Sequence, residues 1–543
     1  MRRRFLSAVL VLCMMVAIAP LGFAEAENEP ITFRFYNADG KNANWDNPVA
    51  AAITAATGVT LNVEYPVSSQ GDAKEDVALW IASDEFPDLI YSKGEATNLY
   101  EAGALVDMTE LIEQYGPNIK RMYGNEMPKL QWGNGDTGIY QLSYQGVNSQ
   151  ILTTGGSCQI QYAALKENGW KYPKTLEEFE SIIKQYLAAH PTTEDGLEML
   201  GMTISCSDWR WLITLGNPAG FIADAQPDNG QWLVDKDYNV LYKHVTAEEK
   251  EYFRWLCRMF NEGILDANFA TQTDDDYIAK LASGRVVAIT DAFWHYNQAQ
   301  QAMIADKKME HTYAGLPVTL RADQKSPTLQ YQGLQVGWGI GISKSCKDPV
   351  RAVKFLDYLC SDEGQILYNW GIKDQNYFLD DHGMPYRTAE ETAFAQSDAD
   401  YSKKTGIGNY TGFPIYGPGA VRPEDGFPYT PNTRESVKAD YNDIQKEACE
   451  AWGVDMLIDI FPQPNEFDLL PYSPIWAYQK PQSLQDAEVV LNDIAWPGLV
   501  KCVTGKEEDF DSNWDAMVQL LTDNGLRETE EGYTTFLAEK IMK

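Results

Sequence analysis

The stretch Gly333–Gln365 constrains the fold more than any other, because it carries signals for a strand, a tight turn and a helix with both ends marked. Val336 to Ile342 alternates apolar residues with glycine. A strand so poor in side-chain bulk suits a place where another backbone or a ligand comes close. Asp348 is placed to cap the following helix, and Pro349 at its first position forfeits an N–H that has no helical partner there. Ala352, Phe355, Leu356 and Leu359 recur at i, i+3, i+4 and i+7 as one apolar stripe, and Gly364 is expected to end the helix. The stretch holds no nucleophile motif, metal cluster or phosphate loop, so its shape rather than its chemistry points to a function.

Residues 1–26 read as a secretion signal: Arg2, Arg3 and Arg4 precede the apolar run Phe5–Val16, and Ala24-Glu25-Ala26 offers small residues for cleavage. The rival is an uncleaved membrane anchor, since the apolar run extends almost far enough to span a bilayer; Pro20 and Gly22 break it and favour cleavage. Cys13 lies inside the apolar run, after Leu12, where a lipid-anchor cysteine would follow a small residue. The remaining chain is too long for one ordinary core and suits two or three domains. The formal charge of −34 repels nucleic acid and anionic membranes. Seven dispersed cysteines remain, Cys158, Cys206, Cys257, Cys346, Cys360, Cys449 and Cys502, with no CxxC pair to suggest zinc. They fit either disulfides of undeducible pairing or buried thiols packing as small hydrophobes.

Strand and helix signals alternate along the first part of the chain. Ile31–Tyr36, Thr60–Tyr65, Asp88–Tyr91 and Ile139–Tyr144 read as strands, with helices at Pro48–Thr57, Val77–Ala82 and Leu105–Tyr115 between them. This is an α/β lobe with a largely parallel sheet. A second alternating region contains helices at Tyr162–Asn168, Thr175–Ala189 and Ala247–Glu262 and a strand at Val286–Thr290. Residues 380–433 are punctuated by Gly, Pro, Tyr and Asn and read as irregular structure packed on a lobe, before helices return.

Five segments, in order, resemble one family: Val77–Ile112, Tyr162–Phe179, Phe253–Ala267, Leu281–Trp294 and Gly339–Leu359. They are similar to the extracellular solute-binding proteins of carbohydrate-type ABC importers, in particular a large Gram-positive subgroup with a long C-terminal extension, which Lys501–Gly532 also fits. The resemblance implies a periplasmic-binding-protein-like fold of two α/β lobes joined by hinge crossings, with ligand held between them. It divides the chain into residues 27–145 and 316–375 for an N-terminal lobe, and residues 146–315 and 376–543 for a C-terminal lobe with its extension. It also implies an oligosaccharide ligand, a membrane permease as partner, a monomer, an extracellular or cell-envelope location and no enzymatic activity. Two departures stand out. There is no lipid-anchor cysteine motif, and the loop Thr192–Glu198, which matches a calcium-like site in the subgroup, keeps Asp195-Gly196 but few oxygen ligands. No metal and no cofactor are expected.

Sugar sites use aromatic faces against pyranose C–H groups and planar polar groups for hydroxyls. Asp208, Trp209, Arg210 and Trp211 supply both within five residues, and the resemblance places them at the cleft; the alternative is one core tryptophan and a surface Asp–Arg pair. Asp291, Phe293 and Trp294 directly follow a strand, where α/β sheets put their ligands, although Asp291 could equally cap the next helix. Lys93 and Glu95 after one strand, and Asn37, Asp39 and Trp45 after another, carry the same logic for the opposite lobe. Trp338 fits a ligand contact or inter-lobe packing, Tyr144 is a further candidate near the first crossing, and His295 reads as an ordinary surface or core residue. The rival class is a secreted glycoside hydrolase, which needs two carboxylates ~5–9.5 Å apart. Seventy-eight acidic residues make such a pair inevitable and therefore uninformative. No G-x-S-x-G, H-E-x-x-H, Walker A or G-x-G-x-x-G sequence is present.

Overall fold

The computed structural model describes residues 29–39, 44–66, 73–133 and 135–541. The expected signal segment, residues 1–26, lies outside the described residues. The strands are β1 (Ile31–Asn37), β2 (Val59–Glu64), β3 (Leu89–Tyr91), β4 (Leu142–Ser143), β5 (Gly156–Gln161), β6 (Leu200–Met202), the hairpin β7 (Trp232–Val234) and β8 (Val240–Tyr242), then β9 (Val286–Ala292), β10 (Tyr313–Leu316) and β11 (Gly339–Ile342). One sheet runs β2-β1-β3-β11-β4 and another β10-β5-β9-β6. In the first, β1 is parallel to β2 and β3, while β11 runs antiparallel to both β3 and β4. The chain thus builds most of one sheet, then the other, and returns to insert β11 into the first.

The stretch around β11 is built as its signals dictate, with two differences. Asp348 accepts the Arg351 N–H at 3.0 Å and starts the helix Pro349–Leu359. Asp357 on this helix accepts the backbone N–H groups of Asn118 and Ile119 at 2.7 and 2.9 Å. It thereby serves the open N-terminus of the helix Pro117–Tyr123 and pins the two helices together. Gly364 does not end the helix. It lies inside a second one, Asp362–Trp370, capped by Ser361, where a Cβ would fall 2.2 Å from the Tyr358 carbonyl oxygen. The strand is also shorter than its alternation suggests, covering only Gly339–Ile342. The glycines before and at its start make room for backbone: a Cβ on Gly337 would lie 2.3 Å from the Ala477 oxygen, and one on Gly339 2.3 Å from that of Leu142.

Elsewhere helix ends follow local capping. Thr175 caps Leu176–Ala189, and Thr246 caps Ala247–Asn261. The helix expected from Leu105 begins only at Thr109, and a new one begins at Pro117. Residues 380–433 hold the second strand of a short hairpin and short helices. Phe413 stacks on Phe35 of β1 and meets Trp45 and Phe355 edge-on, while Tyr410 packs at a tilt on Trp45. The C-terminal helices Gln482–Thr504, Phe510–Asp523 and Leu526–Lys540 pack on one another and on Ala247–Asn261. All seven cysteines among the described residues are free and buried, and burial pushes each thiol pKa up. Among the described residues no helix is long and apolar enough to cross a membrane.

Candidate ligand-binding groove

Strands β6 and β9 are parallel neighbours, pairing Leu200 with Val286 and Met202 with Ala288. Their carboxyl ends therefore deliver two following segments to the same edge of the sheet. After β6 comes the turn carrying Asp208, Trp209 and Arg210; after β9 comes the helix Phe293–Ala305, with Trp294 in its first turn. Trp209 and Trp294 meet there, nearly parallel at 11° with ring centroids 6.2 Å apart. They are 50% and 59% exposed, unusual for so large an apolar ring. A ring inserted between them would need about 7–8 Å at carbon contact distance. The pair therefore forms one continuous aromatic surface rather than a sandwich.

Beside it lies a groove of about 650 Å3, lined by both tryptophans, Arg210, Asp274, His295 and the amides Asn297, Gln298 and Gln301. A chain of charged contacts fixes its wall. Asp208 pairs with Arg210 through its carboxylate and also accepts the Arg210 backbone N–H at 2.9 Å. The Arg210 guanidinium lies 5.2 Å from the Trp209 ring centroid and reaches Asp274 at 3.2 Å. Asp274 also accepts the Ser205 hydroxyl at 2.8 Å and contacts His295 Nε2 at 2.9 Å. His295 Nδ1 meets Asp291 at 2.9 Å. Burial would lower the His295 pKa, but the carboxylates of Asp291 and Asp274 outweigh it and raise it. Burial raises the pKa of Asp291 against the opposing pull of His295.

Several sequence candidates take other roles. Trp211 is only 4% exposed and stacks at 4° on Trp496, so its ring belongs to the core. Asp291 is buried and fully engaged by His295, the Tyr277 hydroxyl at 2.8 Å and the Ala292 N–H at 2.7 Å, which leaves it neither a ligand-facing group nor a helix cap. Phe293 packs against the core cluster behind the strand. His295, read from sequence as an ordinary residue, lines the groove, as do Asp274, Asn297, Gln298 and Gln301, which sequence reasoning missed. The missed signal is a stripe: Trp294, Asn297, Gln298 and Gln301 fall at i, i+3, i+4 and i+7 of one helix, a polar face of hydrogen-bonding amides.

On the first sheet, Asn37 ends β1 opposite Tyr91, which ends β3. Asn37 is buried and accepts the Asp39 N–H at 3.1 Å, while its Nδ2 has no hydrogen-bond partner among the described residues. Asp39 pairs with Lys93 at 2.7 Å, and the Tyr144 ring packs edge-on against Tyr91 at 5.2 Å. The carboxyl edge of this sheet thus gathers Asn37, Asp39, Lys93 and Tyr144. Glu95 instead accepts the Asn98 amide at 2.7 Å on the following short helix. Trp45 leaves the set: its indole donates to Thr54 at 2.8 Å and its ring joins the Tyr410–Phe413 cluster. Trp338 is half-buried against Trp476 at 6.2 Å, and its carbonyl accepts the Tyr144 N–H at 3.3 Å. In the loop Thr192–Glu198, Thr193 and Leu197 bond to each other and Asp195 lies 3.7 Å from Lys308. Among the described residues no three His, Cys, Asp or Glu side chains converge as a metal site.

Two α/β sheets visited in interleaved order, with candidate polar groups at the carboxyl edges of both, define a two-lobed binding-protein architecture. Comparison with known proteins gives the same class. The chain belongs to the bacterial extracellular solute-binding proteins, whose family model matches residues 49–378. The lipoprotein LipO of Bacillus subtilis is 23% identical over 354 residues, a match covering 62% of this chain and 65% of LipO. An HMO-binding, ABC-transporter-associated solute-binding protein from Bifidobacterium longum infantis superposes with a TM-score of 0.68 at 16% identity, covering 95% of this chain and all of that one. The ABC-transporter substrate-binding protein FusA of S. pneumoniae, in complex with kestose, gives 0.64 at 16% identity, covering 94% of this chain and all of FusA. At these identities the superpositions bear on the fold alone.

Proposed function

We propose that the protein is an extracellular receptor that captures an oligosaccharide between two lobes and hands it to an ABC permease. The observation that carries this reading is the parallel Trp209–Trp294 surface, half-exposed beside a groove of side-chain amides. Aromatic faces match the C–H faces of pyranose rings, and amides both donate to and accept from hydroxyls. The HMO-binding and kestose-bound proteins of the same fold lend the reading support. One lobe comprises the described residues of 27–145 and 316–375, with Phe413 packed against Phe35 of its sheet; the remainder, with the C-terminal helices, forms the other. Asn37, Asp39, Lys93 and Tyr144 form the facing wall, and ligand draws the lobes together by hinge motion. Export follows cleavage of the N-terminal signal, the mature chain acts as a monomer, and no bond in the ligand is broken. In this reading Asp274 on the groove wall and Asp208 beside it hold Arg210 in place rather than acting on a glycosidic bond.

A thermal-shift screen across sugar and peptide panels tests the function. A ligand at a thousandfold over its dissociation constant adds about 4 kcal/mol of apparent stability. Sugars are expected to raise the melting temperature and to be recovered unchanged by chromatography. Shifts from peptides alone would overturn the carbohydrate assignment, and turnover of the sugar would favour the hydrolase.

A further inference from the structure

We infer that the groove selects uncharged oligosaccharides and discriminates against acidic ones such as uronate oligomers, with Asp208 and Asp274 as the groups that set this preference. The inference rests on the carbohydrate reading above and deepens it. Arg210 and His295 are the two basic side chains among the groove's lining residues. Neither is a free cation. Arg210 is held by Asp208 on one side and by Asp274, at 3.2 Å, on the other. His295 lies between Asp274 and Asp291, with 2.9 Å to each. Three carboxylates thus surround one guanidinium and one imidazole. The first sheet repeats the pattern: Lys93 is spent on Asp39 at 2.7 Å, and Glu95 stands nearby with an amide rather than a cation as partner.

A carboxylate recognised by a protein needs an uncommitted arginine or lysine, best in a two-pronged arrangement. An acidic sugar entering this groove meets none among the lining residues. It would lose hydration and approach Asp274 on the groove wall and Asp208, which pairs with the lining Arg210, and such like-charge juxtaposition is a means of rejecting wrong partners. A neutral sugar loses nothing by the same arrangement. Its hydroxyls can accept from N–H groups of Arg210 and exchange hydrogen bonds with Asn297, Gln298 and Gln301, while its C–H faces lie on Trp209 and Trp294. The chain's formal charge of −34 acts in the same direction at longer range.

The test uses matched pairs of oligomers differing only by oxidation at C6: gluco- and glucurono-, manno- and mannurono-, galacto- and galacturono-oligosaccharides of equal length and linkage. Binding is measured by calorimetry at low and high salt, on the whole protein and on Asp208→Asn, whose folding is checked by its melting curve. In a pair that binds, the neutral member is expected to bind at least about tenfold more tightly, by the scale of one close charge contact. High salt should narrow the gap, and Asp208→Asn should narrow it further by releasing one side of Arg210. An acidic member binding as tightly as its neutral partner overturns the inference while leaving the carbohydrate reading intact. So does a gap that responds to neither salt nor Asp208→Asn. If no sugar of either kind binds, the carbohydrate reading itself falls and the inference falls with it.

Discussion

Trp209 and Trp211 stand two positions apart and meet opposite environments. The Trp211 N–H donates to the Asp208 carbonyl at 3.1 Å, closing a turn that sends Trp209 outward and Trp211 inward onto Trp496. Sequence supplied the cluster of aromatic and charged residues, but a five-residue window cannot say which ring faces water. That depends on Trp496, 285 positions away on a helix packed by the rest of the fold. The same limit hid Asp274, whose place in the groove comes from contacts with Arg210 and His295 on other elements. The two tryptophans should therefore fail differently. Trp209→Ala and Trp294→Ala are expected to weaken sugar binding by tenfold or more with little loss of stability, as read by calorimetry and melting curves. Trp211→Ala should instead cost about 3–5 kcal/mol of stability in urea, as for a large side chain lost from a core. A Trp211→Ala protein of normal stability with lost binding would reverse that assignment.

Elements whose signals are local were legible; elements set by distant partners were not. Pro48–Thr57 and Leu176–Ala189 have caps within their own sequence, at Asn47 and Thr175, and their extents follow from pattern alone. The extent of β11 depends on pairing with β3 and β4, and Gly364 serves a close approach between successive helices, neither of which a periodicity reveals. The contact between Leu176–Ala189 and Ala247–Asn261 is also non-local. Glu180 accepts from Arg258 at 2.6 and 2.7 Å, from Trp255 at 2.9 Å and from Lys184 at 2.6 Å. Burial works against its ionisation, but these donors outweigh burial and hold its pKa at about 2. An unfolded glutamate titrates near ~4.3. The native carboxyl is thus the stronger acid, so its stabilisation is complete above that unfolded value and is lost as pH falls through about 2. Glu180→Gln should lower stability at neutral pH by about 1.5–3 kcal/mol. Its deficit against the wild type should shrink as pH falls from ~4.5 toward 2, followed by urea denaturation across pH. A deficit independent of pH would show that packing, not charge, joins these helices.

At the scale of the molecule, the C-terminal extension touches both sheets' surroundings. Gln479 donates to the Gly337 carbonyl, and Thr97 donates to Gln479 at 3.1 Å, on the side of the first sheet. Trp476 donates to Asp228 at 3.0 Å and Asn229 accepts the Ile475 N–H at 3.2 Å, beside the β7–β8 hairpin. At the end of the last helix, Lys540 donates to the Trp132 carbonyl, and burial lowers its pKa to about 8. Nothing in the tail's own pattern indicated that it would bridge regions so far apart in sequence. If the lobes close on ligand as proposed, small-angle scattering should show a smaller radius of gyration at saturating sugar, and an unchanged profile would argue for a rigid groove. Trp476→Ala, by removing one contact of the bridge, is expected to cost about 1–3 kcal/mol in denaturant. The seven buried thiols bear on how such motion could be watched. Alkylating and maleimide reagents attack accessible thiolates, and burial denies these side chains both accessibility and ionisation. In a chain lacking residues 1–26, which hold Cys13, cysteines introduced at Glu113 and Lys171, both largely solvent-exposed, would take a donor and an acceptor dye without first stripping the seven buried ones. The sulfur chemistry that the core conceals thus leaves the outer surface a blank on which distance changes can be written optically.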